Sequence, residues 1–243
     1  MMEEKQGAAL YFRVKENLLA LIKSGVYTLG DKLPTESELC QEYEVSRTTI
    51  RQALQQLEIE GYIQRVQGKG TFVSKPKIRE PITRNIRTFV EQMKDLGLSA
   101  HSKVLELIVI PADNTLAETL HIEEKDPVIK LIRLRYAEDE PLQYVTSYLP
   151  WRVAPGLVNE DCSGSLFDLL KSKYDVKIYR SVEAIEPILI EESISYLLEV
   201  PAGSPAFSLK SLTYNSEEQP IEYSYGIVRG DRFKFTMERY VND

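Results

Sequence analysis

Between residues 8 and 24 the apolar side chains Leu10, Tyr11, Val14, Leu18, Leu21 and Ile22 return every three or four positions, which places them on one helical face, and Gly25 supplies a stop. After Leu33 and Pro34, the run Thr35-Glu36-Ser37-Glu38 has the form of a capping box. In it the Thr35 hydroxyl and the Glu38 carboxylate satisfy exposed amides, so a short second helix is expected, running to about Glu44. Ser46 is a second N-cap, and Ile50, Ala53, Leu54 and Leu57 repeat the helical stripe up to Gly61. The period then shortens. Tyr62-Ile63-Gln64-Arg65 and Thr71-Phe72-Val73 read as strands around Val66-Gln67-Gly68-Lys69-Gly70, a hairpin with glycines where positive φ is required. Three helices and a two-stranded wing make a winged helix-turn-helix. The third helix of such a unit lies in the major groove with its first turn nearest the bases, and here that turn carries Arg47, Thr48, Thr49 and Arg51. Arginine pairs bidentately with guanine, and threonine meets a phosphate or a thymine methyl.

Residues 76–84 hold two prolines and no sustained apolar period, and are read as a linker. The expected organisation is therefore a winged domain over 1–75, the linker over 76–84, and a second domain over 85–243. In the second domain Phe89, Val90, Met93 and Leu96 form a helix closed by Gly97, and strand-like runs then alternate with short helices, an α+β pattern. A degenerate repeat runs through it. Residues 113–127, then VIKLIRLRY, a turn at 138–141 and LQYVTSYLP, are echoed by residues 191–205, AFSLKSLTY, a turn at 215–220 and IEYSYGIV. Each copy reads helix, strand, turn, strand, which suits one sheet built from two related halves. Residues 233–241 are expected to add a last strand.

The chain has 243 residues, 43% of them hydrophobic and 28% charged, the composition of a globular protein of one large or two modest domains. Its net charge of −7 argues against a polyanionic partner until the charge is located. Residues 46–77 carry Arg47, Arg51, Arg65, Lys69, Lys75 and Lys77 against only Glu58 and Glu60. That stretch is either a solvated charge run or the place where a phosphate backbone is attracted. No apolar run approaches the length needed to cross a bilayer, so no membrane partner is expected. The opening MMEEKQGAAL has no basic stretch leading into an apolar core, and a cytoplasmic location is expected. Cys40 and Cys162 are read as unpaired thiols, and with His101 and His121 they give no metal-ligand spacing, so neither metal nor cofactor is predicted.

The stretch LPTESELCQEYEVSRTTIRQALQQLEIEGYIQRVQGKGTFV resembles the DNA-binding domain of the GntR superfamily of bacterial transcription regulators. The resemblance implies that Thr35, Ser37, Ser46, Arg47, Thr48, Thr49 and Arg51 face operator DNA, with Gly68 and Lys69 at the wing tip near the minor groove. Many members carry LPSERE, whose arginine reads a base, where this chain has Ser37. From about residue 82 the order Thr88-Phe89, PVIKLIRLR, EPLQYVTSYLP, Ser165-Leu166-Phe167 and PIEYSYGIVRGDRFKF is similar to the UTRA effector domain of HutC-type members, whose fold is like chorismate lyase. This implies an α+β domain with a mainly antiparallel sheet, and a homodimer on a palindromic operator of double-stranded DNA.

Arg133 and Arg135 stand two apart on a strand and share a face with Ile129 and Leu131. Two readings fit. A neighbouring glutamate neutralises each, or the pair clamps a small anion through charge-assisted hydrogen bonds, aided by the hydroxyls of Thr88 and Ser165 at helix starts. In HutC-type sensors of phosphosugars, the residues matching Thr88, Arg133, Arg135 and Ser165 hold the phosphate and that matching Glu222 meets sugar hydroxyls. Phe89 and Phe167 join this expected site. Val145 and Val228 replace a glutamate and a tyrosine common in those sensors, which implies a less polar pocket for a phosphosugar or another organic acid. Tyr144, Tyr148, Tyr223 and Tyr225 either stack on a sugar or pack the sheet. Asp168 and Glu186 lack an acid/base partner, and no nucleophile elbow, P-loop or dinucleotide fingerprint is present. An effector-controlled regulator, by the resemblance a repressor, is thus expected ahead of an enzyme or an effector-free DNA binder.

Overall fold

The computed structural model describes the backbone over residues 2–83 and 85–239 and the side chains from Leu10 onward. The chain divides into two compact units, residues 1–78 and 79–243.

The first unit opens with α1 (Met2–Lys23), followed by α2 (Glu36–Tyr43), α3 (Arg47–Ile59) and the strands β1 (Ile63–Val66) and β2 (Gly70–Val73). The expected capping box forms: Glu38 N donates to Thr35 Oγ1 at 3.3 Å, and Thr35 N donates to the Glu38 carboxylate at 2.7 Å. Helix α2 ends on Glu44 in the left-handed region, φ 53°. Ser46 starts α3 by accepting from Thr49 N at 3.2 Å. Strands β1 and β2 pair antiparallel with Ile63 opposite Val73 and Val66 opposite Gly70. Gly68 and Gly70 take φ of 73° and 125° in and after the turn, conformations that a side chain would strain. The core gathers Val14 and Leu18 from α1 with Leu33, Leu39, Ile50, Leu54, Leu57, Ile63 and Val73. Leu10 is exposed instead, so the core-facing stripe of α1 begins with the partly buried Tyr11 and is fully buried from Val14.

The second unit contains, in order, β3 (Ile78–Pro81), which starts at the division, α4 (Phe89–Asp95), β4 (Ala100–Pro111), α5 (Asn114–Leu120), β5 (Pro127–Ala137) and β6 (Glu140–Pro150). There follow α6 (Leu166–Tyr174), β7 (Ile178–Leu189), α7 (Glu192–Leu198), β8 (Pro205–Asn215), β9 (Pro220–Arg229) and β10 (Phe233–Thr236). Among the described residues β4 to β9 form one antiparallel sheet in the order β4-β5-β6-β9-β8-β7, and β3 pairs with β10. Part of the segment read as linker is therefore a strand. The terminal strand stops at Thr236, and residues 240–243, within or after the run expected to be extended, lie outside the described residues, as does residue 84 of the linker.

The sheet order reads the same from either edge, which is the architecture the internal repeat implied. The repeat unit is larger than the sequence showed. Each half is strand, helix, strand, strand (β4-α5-β5-β6 and β7-α7-β8-β9), with an edge strand ahead of the matching segments. Alternation along β5 assigns the two faces. Val128 packs with Ala112, Leu116, Ala117 and Leu120 under α5, and Leu134 packs with Ile190, Leu198 and Ile227 under α7. On the opposite face Ile129 and Leu131 join Leu149, Leu157, Leu166 and Leu170 beneath α6. Arg133 and Arg135 continue that second face beyond the apolar cover.

Candidate functional site

In the first unit the start of α3 presents Ser46, Arg47, Thr48 and Arg51 to solvent, with Thr35 and Ser37 exposed at the start of α2 and Gly68 and Lys69 exposed at the wing tip. Thr49 differs. It is buried, its hydroxyl 2.9 Å from Ser46 Oγ, so it faces the core side and steadies the helix start. Ser37 accepts from Arg47 Nη2 at 3.1 Å, which fixes the direction of the Arg47 side chain. Arg51 Nε donates to Glu36 at 2.9 Å, and Arg65 of the wing lies between Glu36 and Glu58 at 4.0 and 3.4 Å. These are exposed pairs, readily exchanged for phosphate oxygens.

The second unit encloses a cavity of about 670 Å³, within the usual size of a small-molecule site. Its floor is the sheet face carrying Arg133 and Arg135, continued across Gln143, Val145, Glu222 and Ser224. Its cover comes from β3, the start of α4, the start of α6 and β10. Thr88, Phe89, Arg133, Arg135, Ser165, Phe167 and Glu222 all line it. The sequence separates these residues widely; the sheet and two helix starts bring them together.

Arg133 is 2% exposed. Its Nη1 donates to the Gly164 and Cys162 carbonyls at 3.1 and 3.4 Å, and its Nε has no partner. Burial lowers its pKa, with the nearby Glu222 and Cys162 acting the other way. Arg135 donates to Gln143 Oε1 at 3.3 Å and lies over the Phe89 ring, 5.6 Å from its centre. Burial, then the Arg133 charge, pulls its pKa down to about 9, against Glu222 and Glu80. Burial pushes the Glu222 carboxyl up, opposed by the Ser147 hydroxyl and both guanidinium groups. Among the described residues neither arginine forms an ion pair within 4.0 Å. The arrangement is a desolvated cationic seat with donors to spare, suited to an anion.

The helix starts are already organised. Thr88 Oγ1 accepts from Glu91 N at 3.2 Å and Thr88 N donates to the Glu91 carboxylate at 2.8 Å, a second capping box. Ser165 Oγ accepts from Asp168 N at 3.2 Å. Val145 and Val228 are buried in the cavity wall, giving the floor an apolar strip. Gln143 and Glu80 were missed. Gln143 stands opposite Arg135 in the β5/β6 register, which the hairpin turn would have specified. Glu80 reaches the cavity only through the β3/β10 pairing, for which the sequence gives no local signal.

Among the described residues no group of three or more His, Cys, Asp or Glu is placed to hold a metal, and no helix is long and apolar enough to cross a membrane. Cys40 and Cys162 are free thiols.

Residues 10–73 match the family of bacterial regulatory proteins called gntR, and residues 95–234 match the UTRA domain. The chain is 34% identical over 238 residues to the uncharacterized HTH-type transcriptional regulator YurK of Bacillus subtilis, covering 98% of each chain. It is 32% identical to the mannosyl-D-glycerate transport/metabolism system repressor MngR of Escherichia coli, covering 94% of this chain and 95% of the other. The crystal structure of PhnF from Mycobacterium smegmatis superposes with a TM-score of 0.77 at 31% identity, covering 94% of this chain and all of that one. These relatives are named as regulators and repressors, not enzymes. With its amino-terminal winged helix and its antiparallel α+β second unit, the chain belongs to the GntR family of bacterial transcription regulators, in the branch that carries a UTRA domain.

Proposed function

We propose that this regulator is a cytoplasmic repressor that binds a palindromic operator as a homodimer and is controlled by a small anionic effector, a phosphorylated sugar, held in the cavity of the second unit. The observation that carries the reading is a desolvated guanidinium pair that forms no ion pair among the described residues: Arg133 keeps an unpartnered Nε at 2% exposure, and half-buried Arg135 is fixed by Gln143 and Phe89, with Glu222 nearby. Phosphate or carboxylate oxygens would complete both. The name of MngR, which places that relative in a sugar-acid transport and metabolism system, supports a sugar-derived ligand. In the first unit the exposed Arg47, Thr48 and Arg51 read the major groove, and Gly68 and Lys69 of the wing tip lie near the minor groove. A non-sugar organic acid is the second reading, favoured by the apolar strip of Val145 and Val228.

Thermal unfolding against a panel of sugar phosphates and organic acids tests the seat. A specific ligand at 100 times its dissociation constant adds about 2.7 kcal/mol to the folded state. The parent should gain that protection from a phosphorylated sugar and the Arg133→Ala/Arg135→Ala variant should not. Equal protection of both would remove the anion seat, and protection by carboxylates alone would favour the second reading.

A further inference from the structure

The cavity holds acid as well as base. Glu80 on β3 and Glu183 on the edge strand β7 both line it, and neither forms an ion pair among the described residues. Two further cations on the lining are engaged by acids elsewhere: Arg87 with Asp95, and Arg180 with Glu218 at 2.6 Å. Among the described residues the two carboxylates therefore line the cavity without an ion pair within 4.0 Å, Glu80 feeling Arg87 and Arg135 only at longer range.

Register places the two charges at opposite sides of the floor. Leu131, Ser147, Ser224, Ser211 and Glu183 lie in one row across β5, β6, β9, β8 and β7. Four strand spacings separate Glu183 from β5, or about 19 Å along the sheet. Ser224 and Ser211 line the floor between them and offer hydroxyls there. Glu80 comes from the covering strand and stands near enough to Glu183 that burial and then the Glu183 charge push its carboxyl up to about 7, while a hydrogen bond with the Gln92 side chain, and after it the Arg87 and Arg135 charges, pull it down. At the other side the unpartnered Nε of the buried Arg133 marks a group that a ligand completes.

We propose that the effector is bipolar: an anionic group at Arg133 and Arg135, joined through a polar span to a primary ammonium at Glu80 and Glu183. An amino sugar phosphate and an amine-tailed sugar phosphate share this chemistry, whereas a purely anionic sugar phosphate leaves Glu80 and Glu183 unmatched. The inference rests on the anion seat proposed above and adds the acidic half to it.

Calorimetric titration of the full chain with inorganic phosphate, 6-aminohexyl phosphate and 6-hydroxyhexyl phosphate separates the two halves. The parent should bind the amino compound about tenfold more tightly than the hydroxy compound. In the Glu80→Gln/Glu183→Gln variant the two should bind alike, while inorganic phosphate keeps its parental affinity and reports an intact fold. If that variant loses phosphate binding, Glu183→Gln alone, at an exposed position, should still reduce the preference. A parent that binds phosphate but treats the two hexyl compounds alike overturns the ammonium seat and leaves the anion seat standing. Phosphate that fails to bind the parent, or binds Arg133→Ala equally well, overturns the anion seat and this proposal with it.

Discussion

Arg133 sits in an environment that a charged side chain occupies at a cost. Two carbonyls take its Nη1, its Nε has no acceptor, and the nearest charge of like sign is Arg135 on the same face. Removing a guanidinium from water without a matched acid costs several kcal/mol, so an apolar replacement of similar length relieves the unliganded chain. Arg133→Met should raise its unfolding free energy by about 1 to 3 kcal/mol while abolishing protection by phosphate compounds. Calorimetry with and without phosphate checks this, and a destabilised variant would mean that the arginine is structural. Glu80 gives a second prediction at this scale. Its folded pKa of about 7 lies above the ordinary 4.5, so the folded chain binds a proton that the unfolded chain has released in that window. The associated stability is present below pH 4.5 and is lost as pH rises through 7. In Glu80→Gln the midpoint of thermal unfolding should fall less between those pH values, and an unchanged profile would count against the burial of Glu80. The arginines were legible because two-residue spacing beside Ile129 and Leu131 fixes their face; Glu80 was not, because a pairing between the two ends of the second unit brings it in.

At the scale of elements, helix α3 is set by short-range chemistry. Ser46 caps it, Thr49 closes back on Ser46, and Ser37 of α2 steers Arg47 at 3.1 Å. Local signals of this kind survive in the sequence, which is why the capping box, the helix stops and the wing were all legible. Side-chain direction was less so: Thr49 looked like a reading residue until the packed helix turned it inward, and Leu10 looked like core. The Ser37 contact leads to a prediction about recognition. Ser37→Ala releases Arg47 and should weaken discrimination at the base pair it reads, by about 1 to 3 kcal/mol, with little change in unfolding temperature. Selection of binding sites from random duplexes by both proteins measures it, and an identical preferred sequence would show that Ser37 does not orient the reader.

For the molecule as a whole, the second unit is a sheet made twice. The repeat in the sequence revealed the helix and two inner strands of each half, because those strands are buried and apolar. The edge strands escaped it. Strand β7 leaves Tyr179, Val182 and Leu189 exposed, so its apolar positions follow no core-facing stripe that matches β4. Doubling the half-sheet makes one broad floor on which distant residues meet: the arginines of β5, Glu222 of β9 and Glu183 of β7 share one face only because five strands keep register. An anion bound on this floor would set the affinity of the first unit for DNA only by binding the two functional states unequally. Fluorescence anisotropy of a selected operator duplex, titrated at fixed salt with and without a phosphorylated sugar that protects the parent, measures the coupling directly. The sugar phosphate should change operator affinity of the parent by about 5- to 150-fold and leave Arg133→Ala, which still binds operator, unmoved. An equal change in both proteins would contradict it.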